Sequence, residues 1–264
     1  MSELVITEKF DGLSVLRLNR PESYNALDLS LAKTLSALLL ELASDKSVRG
    51  IVITGSGKAF CAGGDVKRAY DTPENAGAVF HELATYVHLV ISEIRRMRKP
   101  VIAAVNGIAA GGGFSLALAC DFRVMARSAI LRQVFTSNGL CIDGGGTFTL
   151  PRLVGLARSL EIAAFDKPIT AEQALAWGLT TKVAEDGQAL EEAVGMAREL
   201  AAMSLNSFGW SKQLLNDSFS NRLEDQLETE RVGIASCAEH LDGQEGMRAF
   251  IEKRKPVYWP RTSS

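Results

Sequence analysis

The sequence lacks the patterns that mark several common classes of binding protein. Its four cysteines include no C-x-x-C pair, which excludes paired-cysteine zinc and redox motifs and predicts reduced thiols in a cytoplasmic protein. A net charge of −2 gives no electrostatic reason to expect binding to nucleic acid. The opening residues, MSELVITEKFDG, are acidic and lead directly into a strand, so we expect neither a signal peptide nor a transit peptide.

One long apolar run, Val101–Cys120, has the length of a membrane span. Asn106 and four glycines interrupt this run, and Pro100 precedes it. Such interruptions are typical of a buried strand, a glycine turn and a buried helix in succession. We therefore expect the segment to lie in the core of the protein and expect no membrane span.

Short hydrophobic runs alternate with amphipathic patterns through most of the chain. Asp11-Gly12 separates the first two runs and predicts a β-hairpin. Strands are predicted at 4–7, 13–19, 50–54, 101–105 and 122–125, and helices at 28–43, 75–97 and 114–119. This alternation predicts an α/β domain with parallel strand pairing.

The pattern becomes mostly helical from Thr170, which is expected to cap a helix that ends at Gly178. Further helices are predicted near 188–203, 206–217, 221–240 and 244–254. We therefore divide the chain into an α/β core, residues 1–200, and a C-terminal helical region, residues 201–264.

Two glycine loops follow predicted strands in the same way. In residues 50–66 a buried strand ends at Thr54, a loop contains four glycines, and a helix is expected from Asp65. In residues 101–119 a strand again precedes glycines and a helix. Helix N-termini carry unpaired N–H donors, and glycine allows a ligand to approach the backbone closely.

Two such termini could converge on one oxygen and stabilise a developing oxyanion. Close packing of helix on sheet would also require glycines, and for either loop alone that simpler explanation is favoured. Neither loop matches the G-x-x-x-x-G-K-[ST] phosphate-binding motif, and Gly111-Gly112-Gly113 lacks the spacing of a dinucleotide fingerprint.

Six segments, in the same order along nearly the whole chain, resemble the crotonase superfamily, also called the enoyl-CoA hydratase/isomerase family. They are LNRPESYNALD (18–28), ITGSGKAFCAGGDV (53–66), KPVIAAVNGIAAGGG (99–113), GGTFTLPRLVG (145–155), ITAEQALAWGL (169–179) and EGMRAFIEKRKP (245–256). The region from Asp143 to Trp177 looks most like the phenylacetate-pathway type of isomerase.

This resemblance implies a crotonase-like ββα spiral core with a C-terminal all-helical oligomerisation region, assembled as a homotrimer or a dimer of trimers. It also implies an oxyanion hole formed by the N–H groups of Gly64 and Gly112. The substrate would be a coenzyme A thioester, with no metal and no separate cofactor. Positions matching the family's coenzyme A contacts are Ala26, Ala62, Asp65, Val66, Phe250 and Lys253, the last two often reaching a neighbouring subunit's site.

Departures from the family pattern bear on the chemistry. Ser23 stands where many relatives carry a basic residue, which puts one contact to a coenzyme A phosphate in doubt. Family hydratases use two glutamates, whose positions here hold Ser115 and Phe135. Simple hydration is therefore not the expected reaction.

Asp143 is a different candidate acid, and no other acidic residue lies between Asp121 and Glu161. Its apolar neighbours Leu140-Cys141-Ile142 suggest a desolvated carboxylate, which would suit proton transfer near neutral pH. A helix N-cap is the alternative role from the residues alone. The resemblance favours catalysis by Asp143.

Asp143 leaves more than one reaction open. An isomerase would use it to shuttle a proton, whereas a dehalogenase or hydrolase would use it as a nucleophile assisted by His88. His88 matches the helper histidine of that subgroup, but Phe135 replaces its tryptophan. A non-catalytic acyl-CoA-binding protein is an alternative of another class. Cys61 and Cys141 are interpreted as small apolar filling and not as nucleophiles.

Overall fold

The computed structural model describes residues 3–259 and contains two β-sheets surrounded by helices. The strands are β1 (Val5–Phe10), β2 (Leu13–Leu18), β3 (Gly50–Gly55), β4 (Ala59–Cys61), β5 (Val101–Val105), β6 (Ile108–Ala110), β7 (Phe122–Ala126), β8 (Ile130–Arg132), β9 (Ile169–Thr170) and β10 (Lys182–Ala184). The helices are α1 (Leu29–Ser44), α2 (Lys67–Asp71), α3 (Ala76–Arg96), α4 (Gly112–Ala119), α5 (Gly146–Phe165), α6 (Ala171–Ala176), α7 (Ala189–Ala202), α8 (Leu205–Asp217), α9 (Leu223–Glu239) and α10 (Leu241–Ile251).

The larger sheet has the strand order β1-β2-β3-β5-β7-β10. Strands β1 and β2 form the predicted antiparallel hairpin, and every other neighbouring pair in this sheet is parallel. The smaller sheet has the order β4-β6-β8-β9 and is parallel except at β8–β9. The prediction of an α/β fold with parallel pairing is confirmed.

Alternate side chains of β3 belong to two different hydrophobic cores. Ile51 and Ile53 face a large cluster that includes buried residues of α1 and α3, whereas Val52 faces a smaller cluster that includes Ala193 and Ala197 of α7. Successive side chains of a strand point to opposite faces, so both faces of the larger sheet are covered. This burial on both faces explains why the strand is continuously apolar.

Side-chain caps fix the beginnings of two helices where the sequence predicted them. The Asp28 carboxylate accepts a hydrogen bond from the Leu31 amide at 2.7 Å and begins α1. Thr170 and Gln173 form a reciprocal capping box at the start of α6. Helix α2 begins at Lys67, two residues later than the predicted start at Asp65.

The segment 101–119 forms β5, β6 and α4, almost all of it buried, as the glycine interruptions predicted. No helix within residues 3–259 is both long enough and apolar enough to cross a membrane.

Helices α8, α9 and α10 pack on one another after α7. Lys212 of α8 reaches into the core, where its ammonium group donates to the Ile94 carbonyl at 2.7 Å and pairs with Asp121 at 2.8 Å. Burial raises the pKa of Asp121 and lowers that of Lys212, and the opposite charge of each partner counteracts this effect. The C-terminal helices are thereby attached to the core. The domain division at residue 200 stays a prediction.

Candidate active site

The two glycine loops emerge side by side from the smaller sheet. Strands β4 and β6 are parallel neighbours, with Ala59 opposite Ile108, so their carboxyl ends lie at the same edge. A Cβ atom added to Gly112 would lie 3.5 Å from the amide nitrogen of Gly64. The structure therefore brings together the two amides that the sequence singled out.

The amides of Gly64 and Gly112 remain available because the surrounding backbone is held by other hydrogen bonds. The Leu27 amide donates to Gly63 O at 2.7 Å, and the Asp65 amide donates to Leu27 O at 2.8 Å. Gly112 is the first residue of α4, where an N–H has no acceptor within the helix. Within residues 3–259 neither amide donates a backbone hydrogen bond outside a helix or strand.

Close packing requires glycine in these loops, as the simpler explanation from the sequence predicted. A Cβ atom at Gly113 would lie 2.1 Å from Cys61 O, and one at Gly63 would lie 2.9 Å from Ala110 O. Gly63 and Gly111 also have φ values of +103° and +52°, which L side chains rarely adopt. The contact between the loops is thus what holds the two amides next to each other.

A cavity of about 210 Å³ opens directly over the two loops. Gly64, Gly112 and Asp143 line it, together with the neighbouring glycines Gly63, Gly111 and Gly144. The remaining lining is mostly apolar and includes Leu27, Phe80, Leu83, Ala84, Val87 and Phe135. An apolar cavity with few polar groups is typical of a site for a small organic ligand.

Asp143 lies on the turn that precedes α5, and its position is fixed through its backbone and its side chain. The Ser115 hydroxyl and the Gly146 amide donate to its carbonyl oxygen at 2.5 and 3.2 Å. Its Oδ1 atom lies 2.7 Å from Nε2 of His88 on α3. The carboxylate and the imidazole therefore form a hydrogen-bonded pair at the edge of the cavity.

Two expectations about Asp143 are wrong. Its side chain is 44% exposed, so it is not desolvated by its apolar neighbours in sequence. Nor does it cap α5, because Gly145 is the N-cap residue and no side chain caps that helix. The polar contacts of Asp143 are instead made to His88 and Ser115.

Ser115, noted in the sequence only as a missing glutamate, lies fully buried in α4 beneath the Asp143 turn. A Cβ atom at Gly144 would lie 3.0 Å from the Ser115 Cβ, and one at Gly146 would lie 2.7 Å from its Oγ. The turn therefore packs directly on residue 115, and this contact requires glycine at 144 and 146. The small residues Gly144-Gly145-Gly146 were the only sign of this contact in the sequence.

The cysteines near the site differ from each other. Cys61 is fully buried, and burial raises the pKa of its thiol to about 12, so it fills space as interpreted. Cys141 is exposed, and its interpretation as buried filling is therefore wrong. Among residues 3–259 no three His, Cys, Asp or Glu side chains are grouped as metal ligands.

A family model described as enoyl-CoA hydratase/isomerase matches residues 8–261 of the chain. The chain belongs to the enoyl-CoA hydratase/isomerase family. It is therefore an enzyme of the crotonase superfamily, whose members act on coenzyme A thioesters, and the resemblance found in the sequence is confirmed.

Curated relatives of this hydratase/isomerase family member differ in the reaction that they are named for. This chain is 35% identical to the 1,2-epoxyphenylacetyl-CoA isomerase of Escherichia coli strain K12, and the alignment covers 98% of this chain and 99% of the relative. It is 38% identical to a probable enoyl-CoA hydratase of Rhodobacter capsulatus, covering 95% and 96%. The crystal structure of an enoyl-CoA hydratase from Polaromonas sp. JS666 superposes with a TM-score of 0.91 at 38% identity, covering 96% of this chain and 98% of that one. The crotonase-like fold is confirmed.

The positions that match the family's coenzyme A contacts fall into two groups in this enzyme. Ala62 and Val66 line the cavity, and Ala26 is buried just before Leu27. Asp65 lies outside the lining, in an adjoining groove, where its carboxylate is 3.2 Å from the Arg20 guanidinium. Arg20 was not singled out in the sequence, and its ion pair steadies the first glycine loop.

Phe250 and Lys253 lie at the end of α10 and do not line the cavity of their own chain. The Phe250 side chain is 86% exposed. A single chain therefore does not bring these two residues to the site that Ala62 and Val66 line.

Proposed function

We propose that this protein is an enoyl-CoA isomerase that moves a double bond by proton transfer through a thioester enolate. The proposal rests on one observation: Asp143 lines the same cavity as Gly64 and Gly112, while both hydratase glutamate positions hold residues without an acid. One proton carrier beside an oxyanion hole suits a 1,3-proton shift. Hydration of the double bond would also need a group that activates water.

The two amides would donate to the thioester carbonyl oxygen as negative charge develops on it. Each such donor contributes roughly 10²- to 10³-fold to the rate in comparable sites. Asp143 would remove a proton from one carbon of the enoyl chain, and the electron pair would delocalise into the enolate. The same carboxylic acid would return the proton to the carbon two positions away, which restores the thioester and shifts the double bond without net gain or loss of atoms.

His88 would orient the Asp143 carboxylate. The Nε2–Oδ1 distance of 2.7 Å is that of a strong hydrogen bond, which holds the carboxylate in one rotamer. A fixed carboxylate can serve both carbons in turn because they lie two bonds apart on the same chain. His88 is also near enough to act as a second proton carrier.

Similarity to an isomerase supports the assignment but does not carry it alone. The relative from Escherichia coli is named for isomerisation of 1,2-epoxyphenylacetyl-CoA, whereas several other relatives of comparable identity are named as hydratases. The reaction assigned to this chain therefore rests on its own residues.

Coenzyme A would lie along Ala26, Ala62, Asp65 and Val66. Phe250 and Lys253 would contact the adenine and the 3′-phosphate in the site of a neighbouring subunit, since they do not line the cavity of their own chain. The proposal thus includes a homotrimer or a dimer of trimers, as is usual in the family. It requires no metal ion and no cofactor other than the coenzyme A of the substrate, and the four free thiols support a cytoplasmic location.

Deuterium exchange tests the role of Asp143 directly. Wild-type enzyme in deuterated water is expected to incorporate label at the α- or γ-carbon of an enoyl-CoA. Asp143→Asn, which keeps the shape of the side chain, should lose about 10²- to 10⁴-fold of this rate because it cannot carry the proton. Asp186→Asn, a change of an exposed aspartate that accepts from the Ser128 amide, is the matched control. Exchange at the wild-type rate in Asp143→Asn would refute the proposal.

The His88–Asp143 hydrogen bond also favours a second candidate, in which Asp143 attacks the substrate as a nucleophile. Dehalogenation would then pass through an ester of Asp143 with loss of halide, and thioester hydrolysis through a mixed anhydride of Asp143 with loss of the coenzyme A thiolate; water would cleave either intermediate at the Asp143 carbonyl. A single turnover in ¹⁸O-labelled water separates the two reactions, since only a nucleophilic Asp143 acquires label in its carboxylate. Binding of acyl-CoAs without turnover of any of them would instead indicate a non-catalytic binding protein.

A further inference from the structure

One wall of the cavity is a loop held in an unusual backbone conformation. Residues 132–140 run from β8 through a short 3-10 helix at Thr136–Asn138, and Val134, Phe135, Asn138 and Leu140 line the cavity. Val134 has φ +43°, a conformation that is strained for a β-branched residue. Such a conformation persists only where its surroundings impose it.

The buried side chain of Asp166 provides that constraint. One carboxylate oxygen accepts from the Val134 amide at 2.9 Å, and the other accepts from the Ser137 hydroxyl at 2.5 Å. Arg132 lies 3.2 Å from the carboxylate and also donates to Asp166 O at 2.9 Å. A side chain that is only 5% exposed thus holds the loop at three points.

The loop held by Asp166 also contacts the second glycine loop, at Gly111. The Gly111 amide donates to Arg132 O at 3.1 Å. A Cβ atom added to Gly111 would lie 3.3 Å from a methyl group of Val134. The Val134 side chain therefore packs over the residue that precedes the Gly112 donor. A shift of Val134 would change the width of the cavity and also the distance between the Val134 side chain and a bound thioester.

We infer that Asp166 is a positioning residue that sets the acyl-chain selectivity of this enzyme by fixing the Val134–Phe135 wall against the second glycine loop. The inference rests on the proposed function only in that the cavity receives the acyl chain. Asp166 itself touches no substrate, because it does not line the cavity. It is the C-cap residue of α5, at the opposite end of that helix from the Asp143 turn.

Selectivity between acyl chains measures the effect of the wall. The kcat/KM values for a four-carbon and a twelve-carbon enoyl-CoA are compared in wild type, Asp166→Ala and Asp166→Asn. We expect the ratio between the two substrates to change at least about tenfold in Asp166→Ala, mainly through KM, because substrate contacts change while Asp143 stays in place. Asp166→Asn, which can still accept from Val134, should restore part of the wild-type ratio. Asp186→Ala, on an exposed aspartate that also accepts a backbone amide, should leave the ratio unchanged.

Unfolding curves of each variant separate selectivity from stability. If Asp166→Ala fails to fold, the test uses Asp166→Asn. The ratio of its kcat/KM values for the two substrates is expected to differ from that of wild type by less than the roughly tenfold change expected of Asp166→Ala. Wild-type selectivity in a folded Asp166 variant would overturn the inference. Absence of turnover in the wild type would refute the proposed reaction instead, and the same ratio is then measured from the dissociation constants of the two thioesters.

Discussion

Ser115 and Asp143 show how a single small side chain can fix the position of a turn that lines the cavity. The hydroxyl of the fully buried Ser115 donates to the Asp143 carbonyl oxygen, and the glycines that follow Asp143 pack on the same side chain. Ser115 therefore holds the backbone of Asp143, and His88 holds its carboxylate. The position that carries a glutamate in family hydratases here supports a different acid.

Removal of the Ser115 hydroxyl should affect turnover more than binding. Ser115→Ala is expected to lower kcat roughly fivefold at nearly unchanged KM, since one hydrogen bond contributes about 1 kcal/mol to the position of the turn. Ser44→Ala removes a hydroxyl that donates to the Glu41 carbonyl in α1 and should leave kcat unchanged. Steady-state kinetics on one enoyl-CoA measures both. A tenfold rise in KM with unchanged kcat would contradict this role.

Thiol reactivity should separate the buried cysteines from the exposed one. Burial raises the pKa of both Cys61 and Cys120 to about 12, so at pH 8 these thiols are neutral and shielded. Alkylation of the folded enzyme followed by mass spectrometry should modify Cys141 and leave Cys61 and Cys120 intact. Alkylation of the unfolded chain should modify all three. Rapid modification of Cys61 in the folded enzyme would show that the glycine loops open readily.

The environment predicted for Asp143 from the sequence is wrong, for a physical reason. Leu140 and Cys141 are apolar neighbours of Asp143 along the chain, yet both are exposed and neither covers the carboxylate. Its actual partners, His88 and Ser115, lie 55 and 28 residues away in sequence. Without a structure, the solvation of a loop side chain cannot be predicted from adjacent residues, because distant segments determine it.

At the scale of secondary-structure elements, contact between β4 and α4 holds the two glycine loops together. Gly113 of α4 lies so close to the Cys61 carbonyl that a Cβ atom would approach it to 2.1 Å. Since the obstacle is backbone, no side-chain rotation can relieve it. The distance between the Gly64 and Gly112 amides thus depends on glycine at position 113.

Alanine at position 113 should therefore damage binding and stability together. Gly113→Ala is expected to destabilise the fold by about 1–3 kcal/mol through overpacking and to weaken acyl-CoA binding as the loops separate. Gly195→Ala, in the interior of α7 with open space around it, should instead stabilise by about 0.5–1 kcal/mol. Denaturant unfolding and calorimetric titration measure the two effects. Equal behaviour of the two variants would contradict the role given to Gly113.

The elements that could be predicted from sequence are those with strong local signals. The long apolar strands β3 and β5 and the capped helices α1 and α6 were found because hydrophobic runs and capping residues lie within a few positions of each other. The smaller sheet was missed because its strands have only two or three residues and no periodicity. Pairing between segments that are distant in sequence creates that sheet, and it is this sheet that aligns the two loops.

On the scale of the whole molecule, the C-terminal helices carry many exposed apolar side chains. On α9, Leu223, Leu227 and Ile234 are all more than half exposed, and their spacing places them on one face of the helix. Phe250 and Ile251 are more exposed still. A surface of this kind is typical of a protein–protein interface. It agrees with the proposal that neighbouring subunits complete the coenzyme A site.

Assembly and coenzyme A affinity should therefore change together. We expect wild type to sediment as a trimer or hexamer. Ile234→Glu should lower the mass and weaken coenzyme A binding, because a charge is costly in an apolar interface. Lys46→Glu, an exposed change outside the C-terminal helices, should alter neither property. Sedimentation equilibrium and titration with coenzyme A measure both.

The variant Lys253→Ala separates the effect on coenzyme A affinity from the effect on assembly. It should weaken coenzyme A binding roughly tenfold or more by loss of a charge-assisted phosphate contact, with no change in mass. A monomeric wild type that binds coenzyme A tightly would contradict the shared site.

The donors that we propose for the oxyanion hole are main-chain amides, and this has a consequence for how such an enzyme can change over generations. Glycine is required at Gly63, Gly111 and Gly113 by steric contact or backbone conformation, so descendants that inherit the fold also inherit the arrangement of the two amides. The side chains at His88, Phe135 and Asp143 are not fixed by backbone contacts of this kind. Substitution at these three positions can therefore exchange one reaction for another while the two amides are preserved.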